Sequence, residues 1–272
     1  MTRVACIGMC SGDNVADNVA AASRLIREAH REGAELIATP EMTSLMDQRS
    51  GALALKARSE EDDRALRAFR RLAADLDVRL LIGSLPVKVS DKTFANRSYL
   101  IDQKGEISAY YDKIHMFDVE LGDGQIYRES AKFRPGGRAV ISDSGLAKVG
   151  LTICYDLRFS NLYRSLAQAG AEIIFVPAAF TRVTGEAHWH VLVRARAIET
   201  GAFIVAPAQG GRHLDGRETY GHSLIVGPWG EIIAEGGVGS GVTLADLDLG
   251  AVRDARRRIP SLGHDRAFEP PV

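Results

Sequence analysis

The chain has 272 residues, of which 46% are hydrophobic and 25% are charged, a composition typical of globular proteins. This length is enough for one large α/β domain or two small ones. The formal net charge of -1 excludes the strongly basic balance that would favour nucleic acid or an anionic membrane surface as a partner.

Neither a membrane span nor a secretory signal is expected. The longest apolar runs, such as that around 172–176, have the length of a strand and are too short to cross a bilayer. The first residues lack the long apolar core and cleavage site of a signal peptide. The cysteines Cys6, Cys10 and Cys154 are an odd, small set that suits a reducing compartment rather than a disulfide framework. We therefore predict a cytoplasmic protein without a membrane partner.

Strand-like and helix-like segments alternate along the chain. Hydrophobic periodicity and turn residues predict strands at 3–9, 35–39, 78–85, 95–102, 106–113, 138–142, 147–153, 172–177, 202–207, 222–227, 231–235 and 242–247. Helices are predicted at 17–32, 60–76, 159–169, 186–200 and 248–258. Hairpins mixed with helical crossovers argue against a plain doubly wound parallel sheet. Without a linker or a repeat, the sequence predicts a single α/β domain over residues 1–272.

Cys154 stands where an apolar strand is predicted to turn sharply into a helix. Such an elbow exposes a nucleophile and places backbone N–H groups around the reacting centre. The alternative is a small buried hydrophobe, the commonest role of a free cysteine, and position alone favours it. Cys6 lies inside the first strand and Cys10 just after it, so both are predicted to pack rather than react.

A cysteine nucleophile needs a base and a donor for the developing oxyanion. Glu41 directly follows the strand 35–39, where a carboxylate is costly unless it is paired or exposed, and Lys113 follows the strand 106–112. Each residue taken singly is more typical of a solvated loop charge. Glu41, Lys113 and Cys154 nevertheless all follow predicted strands, and sites form at that edge of an α/β sheet.

A cysteine–histidine hydrolase is an alternative, but no local motif singles out one of the seven histidines as the base. His188 and His190 lie two positions apart on a predicted helix, so they do not share a face. They make a poor metal pair, and a solvated or packed role is predicted for both. No metal site is therefore predicted from their spacing.

Four motifs occur in order along the chain: Pro40–Glu41, Tyr111–Asp112–Lys113–Ile114–His115, Thr152–Ile153–Cys154–Tyr155–Asp156–Leu157–Arg158–Phe159 and Pro177–Ala178–Ala179–Phe180. With them the chain resembles the nitrilase superfamily of carbon–nitrogen hydrolases from residue 4 to about residue 260. The resemblance implies Glu41, Lys113 and Cys154 as a catalytic triad. It adds Glu129, in Tyr127–Arg128–Glu129–Ser130, as a supporting residue. It also implies a four-layer α-β-β-α sandwich, a homodimer or larger assembly, and no metal or organic cofactor.

The same resemblance implies a mechanism. Glu41 takes the proton of the Cys154 thiol, which attacks an amide carbonyl. Lys113 and the backbone N–H of Tyr155 stabilise the tetrahedral oxyanion. Glu41 then protonates the leaving amine and activates a water molecule that hydrolyses the thioester.

Further stretches resemble the branch of amidases that act on deaminated glutathione: His115–Val119, Thr184–Trp189, Arg194–Glu199 and Gly216–Ser223. The related ω-amidases differ in the last stretch. The candidates for binding a small-molecule amide are Phe180, the last residue of the fourth motif, Thr181, which follows it, and Arg212 and Arg217. The two arginines belong to a glycine-containing loop that follows a predicted strand, where glycine allows close approach to a ligand. A solvated loop is the alternative for this segment.

Rival functions stay open at this point. An ω-amidase or an N-carbamoyl amino-acid hydrolase would use the same triad, and a catalytically silent homologue would bind a metabolite or a partner. The intact set of Glu41, Lys113 and Cys154 argues against silence. One departure from the family pattern is Ser160–Asn161, where Pro–Glu is usual, so the capping of the following helix is in question.

Overall fold

The computed structural model describes residues 1–47, 49, 51–121, 125–269 and 271. The strands are β1 Thr2–Gly8, β2 Leu36–Ala38, β3 Arg79–Lys88, β4 Phe94–Ile101, β5 Ile107–Asp112, β6 Asp118–Leu121, β7 Gln125–Arg128, β8 Val140–Asp143, β9 Lys148–Leu151, β10 Ile173–Phe175, β11 Phe203–Ala206, β12 Gly210–Arg212, β13 Glu218–Tyr220, β14 Leu224–Val226, β15 Ile232–Glu235 and β16 Gly241–Leu247. The α-helices are α1 Val15–Arg31, α2 Ala52–Lys56, α3 Arg64–Leu76, α4 Ser160–Gln168, α5 Arg182–Thr200 and α6 Gly250–Arg258. Short 3-10 helices lie at Glu129–Ala131, Cys154–Arg158 and Ser261–Gly263.

Two six-stranded sheets carry the fold, in the orders β16-β1-β2-β3-β4-β5 and β15-β14-β11-β10-β9-β8. In each sheet three central strands run parallel, namely β1-β2-β3 and β9-β10-β11. Antiparallel strands complete both sides. This mixed pattern confirms that the chain is not a plain doubly wound sheet. No helix among the described residues is long and apolar enough to cross a membrane.

The alternation of side chains along the strands explains why the sheets are covered on both faces. In β1, Val4 and Cys6 pack with residues of the second sheet, whereas Ala5 and Ile7 pack with α1 and α3. Strands buried on both faces read as continuous apolar runs rather than alternating ones. Each large apolar side chain buried in this way stabilises the fold by about 1.5–3 kcal/mol relative to leaving it exposed.

The helices form the two outer layers. α1 and α3 cover the first sheet, and Phe69 of α3 is completely buried there. α4 and α5 cover the second sheet through residues such as Tyr163, Trp189 and Val193. The predicted four-layer α-β-β-α sandwich is confirmed.

Some predicted boundaries were wrong. α5 begins at Arg182 rather than 186, because the Thr181 side chain accepts a hydrogen bond from the Thr184 N–H and caps the helix there. α3 begins at Arg64 rather than at residue 60, because Asp63 is its N-cap and accepts a hydrogen bond from the Leu66 N–H. The hairpins β6–β7 and β12–β13 and the short helix α2 were not predicted. α4 begins at Ser160 without a side-chain cap, as the departure from the family pattern had suggested.

Candidate active site

Cys154 lies on a strained elbow that follows β9. Its φ of 49° is in the left-handed region, which non-glycine residues seldom occupy. The Cys154 N–H donates to the Pro177 carbonyl at 2.9 Å, and the Ile153 N–H donates to the Asp156 carboxylate at 2.8 Å. Cys154 also opens a 3-10 helix, and the first N–H groups of a helix have no acceptor within it. The elbow therefore holds the thiol directly beside the backbone N–H of Tyr155, the second residue of this 3-10 helix.

Gly83 in the first sheet allows the segment that follows β2 to approach Pro177, whose carbonyl binds the Cys154 N–H. A Cβ atom on Gly83 of β3 would lie 1.9 Å from the Thr39 carbonyl oxygen and 2.5 Å from the Pro177 Cβ. Neither contact is possible in a real structure. The absence of a side chain at Gly83 therefore allows the segment that carries Glu41 to lie against the residue that holds Cys154.

Lys113 is buried between two carboxylates. Its Nζ atom donates to Glu41 Oε1 at 2.9 Å and to Glu129 Oε2 at 2.8 Å, with Glu129 Oε1 at 3.1 Å. The lysine side chain is 2% exposed and that of Glu41 is 6% exposed. Glu129 also accepts the Phe117 N–H at 2.7 Å, which fixes its orientation. Such charge-assisted hydrogen bonds are shorter and stronger than neutral ones.

The electrostatics of this cluster assign different protonation states to its members. Burial alone would raise the pKa of Glu41, but the charge and hydrogen bond of Lys113, together with Cys154 and Arg217, hold that pKa below the ordinary value. Burial likewise opposes the charge on Lys113, yet Glu129 and Glu41 together raise its pKa well above normal. Burial and the negative charge of Glu41 raise the pKa of Cys154 well above normal. At neutral pH the structure therefore combines an ionised pair with a protonated thiol.

One cavity of about 270 Å³ opens onto all four side chains. Its walls include Glu41, Lys113, Glu129 and Cys154, together with Met42, Met46, Asp47, Leu53, Asn96, Phe117, Ile126, Tyr127, Arg128, Lys132, Phe133, Tyr155, Ala179, Phe180, Thr184 and Arg217. Apolar and aromatic walls around a few convergent charges are typical of a small-molecule site. The size fits a small organic substrate.

Comparison with known proteins identifies the family. The sequence model of the carbon-nitrogen hydrolase family matches residues 3–257. The chain is a carbon-nitrogen hydrolase. It is 39% identical over 268 residues to the deaminated glutathione amidase of Yersinia enterocolitica. This alignment covers 97% of this chain and 93% of the Yersinia protein. The resemblance predicted from the motifs is confirmed, and the chain is a hydrolase of carbon–nitrogen bonds other than peptide bonds.

Solved structures agree with this assignment. The C. elegans NitFhit protein superposes with a TM-score of 0.90 and 32% identity, covering 97% of this chain and 65% of that longer one. Saccharomyces cerevisiae Nit3, a member of branch 10 of the nitrilase superfamily, gives a TM-score of 0.87 and 26% identity, covering 98% of this chain and 97% of that one.

The predicted substrate-binding residues of this carbon-nitrogen hydrolase fall into two groups. Phe180 and Arg217 line the cavity. Thr181 does not line it, and its side chain instead caps α5. Arg212 is exposed on β12 and is also absent from the cavity wall.

Two buried residues of the site had been given no role. Asn96, on β4, donates from Nδ2 to Glu41 Oε1 at 2.9 Å and to Glu129 Oε1 at 3.1 Å. Asp156 accepts from the Tyr111 hydroxyl at 2.7 Å and from the His115 N–H at 3.1 Å, so it joins the Lys113 segment to the elbow. Asp156 belongs to the third of the four motifs. Asn96 lies outside them, and the sequence shows it only as an amide within a predicted strand.

Asn96 gives a first prediction. We expect Asn96→Ala to lower kcat/KM by about tenfold to a hundredfold, because a lost hydrogen bond to a charged group costs about 1.5–3 kcal/mol. Steady-state amide hydrolysis measures the effect, and circular dichroism checks the fold. Asn161→Ala, an exposed amide in α4, is the matched control and should leave the rate unchanged. Equal rates in Asn96→Ala and Asn161→Ala would remove Asn96 from the site's machinery.

Proposed function

We propose that this chain is a cysteine-dependent amidase that hydrolyses a small linear amide, with deaminated glutathione as the preferred substrate. The observation that supports the chemistry best is the buried Glu41–Lys113–Glu129 cluster, which shares one cavity with Cys154. The substrate follows from relatives 37–40% identical that carry the name deaminated glutathione amidase.

The proposed reaction starts from a protonated thiol. Glu41, kept ionised by Lys113, takes that proton as Cys154 attacks the amide carbonyl. Lys113 and the Tyr155 backbone N–H stabilise the oxyanion that forms. Glu41 gives the proton to the departing amine, which leaves a thioester on Cys154. A water molecule, deprotonated by Glu41, then releases the carboxylic acid and restores the thiol.

Glu129 has a separate part in this proposal. Its carboxylate contacts the Lys113 ammonium group in addition to Glu41, through two short contacts of 2.8 and 3.1 Å. A single carboxylate would draw the ammonium group toward itself. Two carboxylates fix it between them, so that the ammonium group stays charged and directed at the developing oxyanion.

Arg217 is the residue we propose for recognising a carboxylate of the substrate. Its Nη2 donates to the Ala179 carbonyl at 2.7 Å, and its guanidinium lies 5.5 Å from the Tyr127 ring centre. Its Nε is buried and has no hydrogen-bond partner among the described residues. A buried donor left unpaired costs about 1–3 kcal/mol, which a bound carboxylate would recover.

The substrate proposal predicts that deaminated glutathione is hydrolysed with a higher kcat/KM than α-ketoglutaramate. The two share the reacting acyl half, so discrimination must come from the cysteinyl-glycine tail and its carboxylate. Arg217→Ala should lose at least part of the preference, whereas Arg212→Ala, a neighbouring exposed arginine, should keep it. Formation of the α-keto dicarboxylate measures both reactions.

Each alternative gives a different pattern in that assay. A wild-type preference for α-ketoglutaramate indicates an ω-amidase, and turnover of carbamoyl amino acids alone indicates an N-carbamoyl hydrolase. No turnover of any amide indicates a silent homologue. If Arg217→Ala slows both substrates equally, Arg217 binds the shared acyl half rather than the tail.

We also propose that residues 1–272 form a single domain that assembles as a homodimer or larger oligomer in the cytoplasm. The family match over residues 3–257 supports one domain. Exposed apolar side chains on α5, such as Val191 and Ile198, support an assembly through that helix. Sedimentation velocity tests it, since a monomer at micromolar concentration would contradict the assembly.

A further inference from the structure

A cluster of two histidines and a glutamate lies outside the cavity. His190 is on α5, His222 precedes β14, and Glu235 ends β15. Glu235 Oε1 lies 3.0 Å from His190 Nε2 and 2.8 Å from His222 Nδ1. One ligand atom from each residue lies within 4.8 Å of the others. None of the three residues lines the cavity that contains Cys154.

The spacing of these atoms fits a first-row divalent metal ion. Zn²⁺ binds nitrogen and oxygen at about 2.0–2.2 Å, so tetrahedral ligand atoms stand about 3.3 Å apart. The observed contacts are only a few tenths of an ångström shorter. Two imidazoles and one carboxylate are a ligand set that zinc accepts, with the fourth position left to water. The three side chains are 26–37% exposed, so an ion can enter from solvent.

The backbone holds His222 in the position that this site needs. His222 has a φ of 55° and follows Gly221, whose φ is 72°. The His222 carbonyl accepts the Trp189 indole N–H at 2.7 Å. The Tyr220 ring stacks on the imidazole, with centroids 4.4 Å apart. His222 is therefore fixed from the backbone and from one ring face, as a preorganised ligand requires.

The charges nearby also favour a cation. Glu235 pairs in register with Leu224 at the start of β14, so the carboxylate is fixed beside the turn that carries His222. Glu186 precedes His190 by one helical turn and lies on the same face of α5. Its side chain pairs with Arg182, which limits its own contribution.

We propose that His190, His222 and Glu235 form a Zn²⁺ site that ties α5 to the β14–β15 hairpin. Trp189, bonded to the His222 carbonyl, packs on Phe180 of the cavity wall, with ring centres 5.0 Å apart. The site stabilises this corner of the fold and takes no part in amide hydrolysis. The proposed zinc site does not depend on the proposed function, because its test measures zinc binding rather than activity.

Calorimetric titration of the metal-free protein, residues 1–272, with ZnCl₂ tests the proposal. We expect one Zn²⁺ per chain and an unfolding temperature that rises with zinc concentration. Glu235→Gln, which keeps the shape of the side chain, and His190→Ala should each weaken zinc affinity at least about tenfold, since loss of even an outer-shell partner costs that much. His188→Ala, an exposed histidine on the same helix, should bind zinc like the wild type.

The thiols are the main competing zinc ligands, so the titration is repeated with Cys10→Ser/Cys154→Ala. Unchanged affinity in that variant is expected, and the Co²⁺ derivative should lack the near-ultraviolet thiolate-to-metal absorption. Loss of binding in the cysteine variant would overturn the proposal. Zinc affinity equal to that of the wild type in the folded Glu235→Gln and His190→Ala variants would also overturn it. So would a wild-type protein that binds no zinc.

Discussion

Cys154→Ala is expected to abolish amide hydrolysis while the protein stays folded. The substitution removes the only atom that forms a covalent bond to the substrate in the proposed reaction. Loss of a catalytic nucleophile lowers kcat by about 10⁴-fold or more, leaving only what binding and the oxyanion donors supply. The fold should survive because the change removes a single buried sulfur atom, and alanine meets the same left-handed backbone geometry as cysteine.

The measurement is release of the amine or ammonia, set beside a thermal unfolding curve. Cys6→Ala and Cys10→Ala are matched controls. Cys6 is completely buried in β1, where burial raises the pKa of its thiol, and Cys10 is exposed outside the cavity. Both should retain hydrolysis. Substantial product release by a well-folded Cys154→Ala protein would exclude the thioester mechanism.

The strands and helices were predictable because their cause is local, whereas the four-layer arrangement was implied by the family resemblance. Apolar runs such as Ile173–Phe175 and amphipathic patterns such as that of α1 specify strands and helices within a few residues. The elements that were missed are short. β12 and β13, for example, are three-residue strands that pair with each other. Three residues are too few to show an alternation that would distinguish a strand from a loop.

The candidate triad was implied by the family resemblance. Position alone indicated only that Glu41, Lys113 and Cys154 each come just after a strand, as they do in the two sheets. Asn96 was missed because its function depends on the register between β4 and β5 and on the carboxylates that meet its amide. Arg212 and Arg217 are equivalent by sequence, and only the fold determines that Arg217 lies on the cavity wall.

The proposed zinc site also could not be predicted from the sequence. His190 was considered together with His188, its neighbour in sequence, and helical geometry argued against that pair as metal ligands. Its partners in the structure are instead His222 and Glu235, which approach α5 from the β14–β15 hairpin. Ligands that come from separate elements leave no spacing pattern for a sequence to display.

Lys113→Ala is expected to lower kcat by about a hundredfold to a thousandfold, the usual effect of losing one oxyanion donor. The substitution also leaves Glu41 and Glu129 buried without their shared cation. Breaking a buried ion pair in this way costs about 3–5 kcal/mol of stability, so activity must be compared at a temperature where the variant is folded. Lys113→Arg should not restore the rate, because a planar guanidinium cannot take the place of a compact ammonium held between two carboxylates.

The pH dependence separates an electrostatic role of Lys113 from simple loss of packing. The lysine holds the pKa of Glu41 below its ordinary value against the effect of burial. Without it, burial raises that pKa, and Glu41 must be ionised to act as the base. The acid limb of the kcat/KM profile should therefore move to higher pH in Lys113→Ala. Lys104→Ala, an exposed lysine in the β4–β5 turn, should leave the rate and the profile unchanged. Near-normal rates in Lys113→Ala and Lys113→Arg, or an acid limb that stays in place while the rate falls, would contradict the role proposed for this residue.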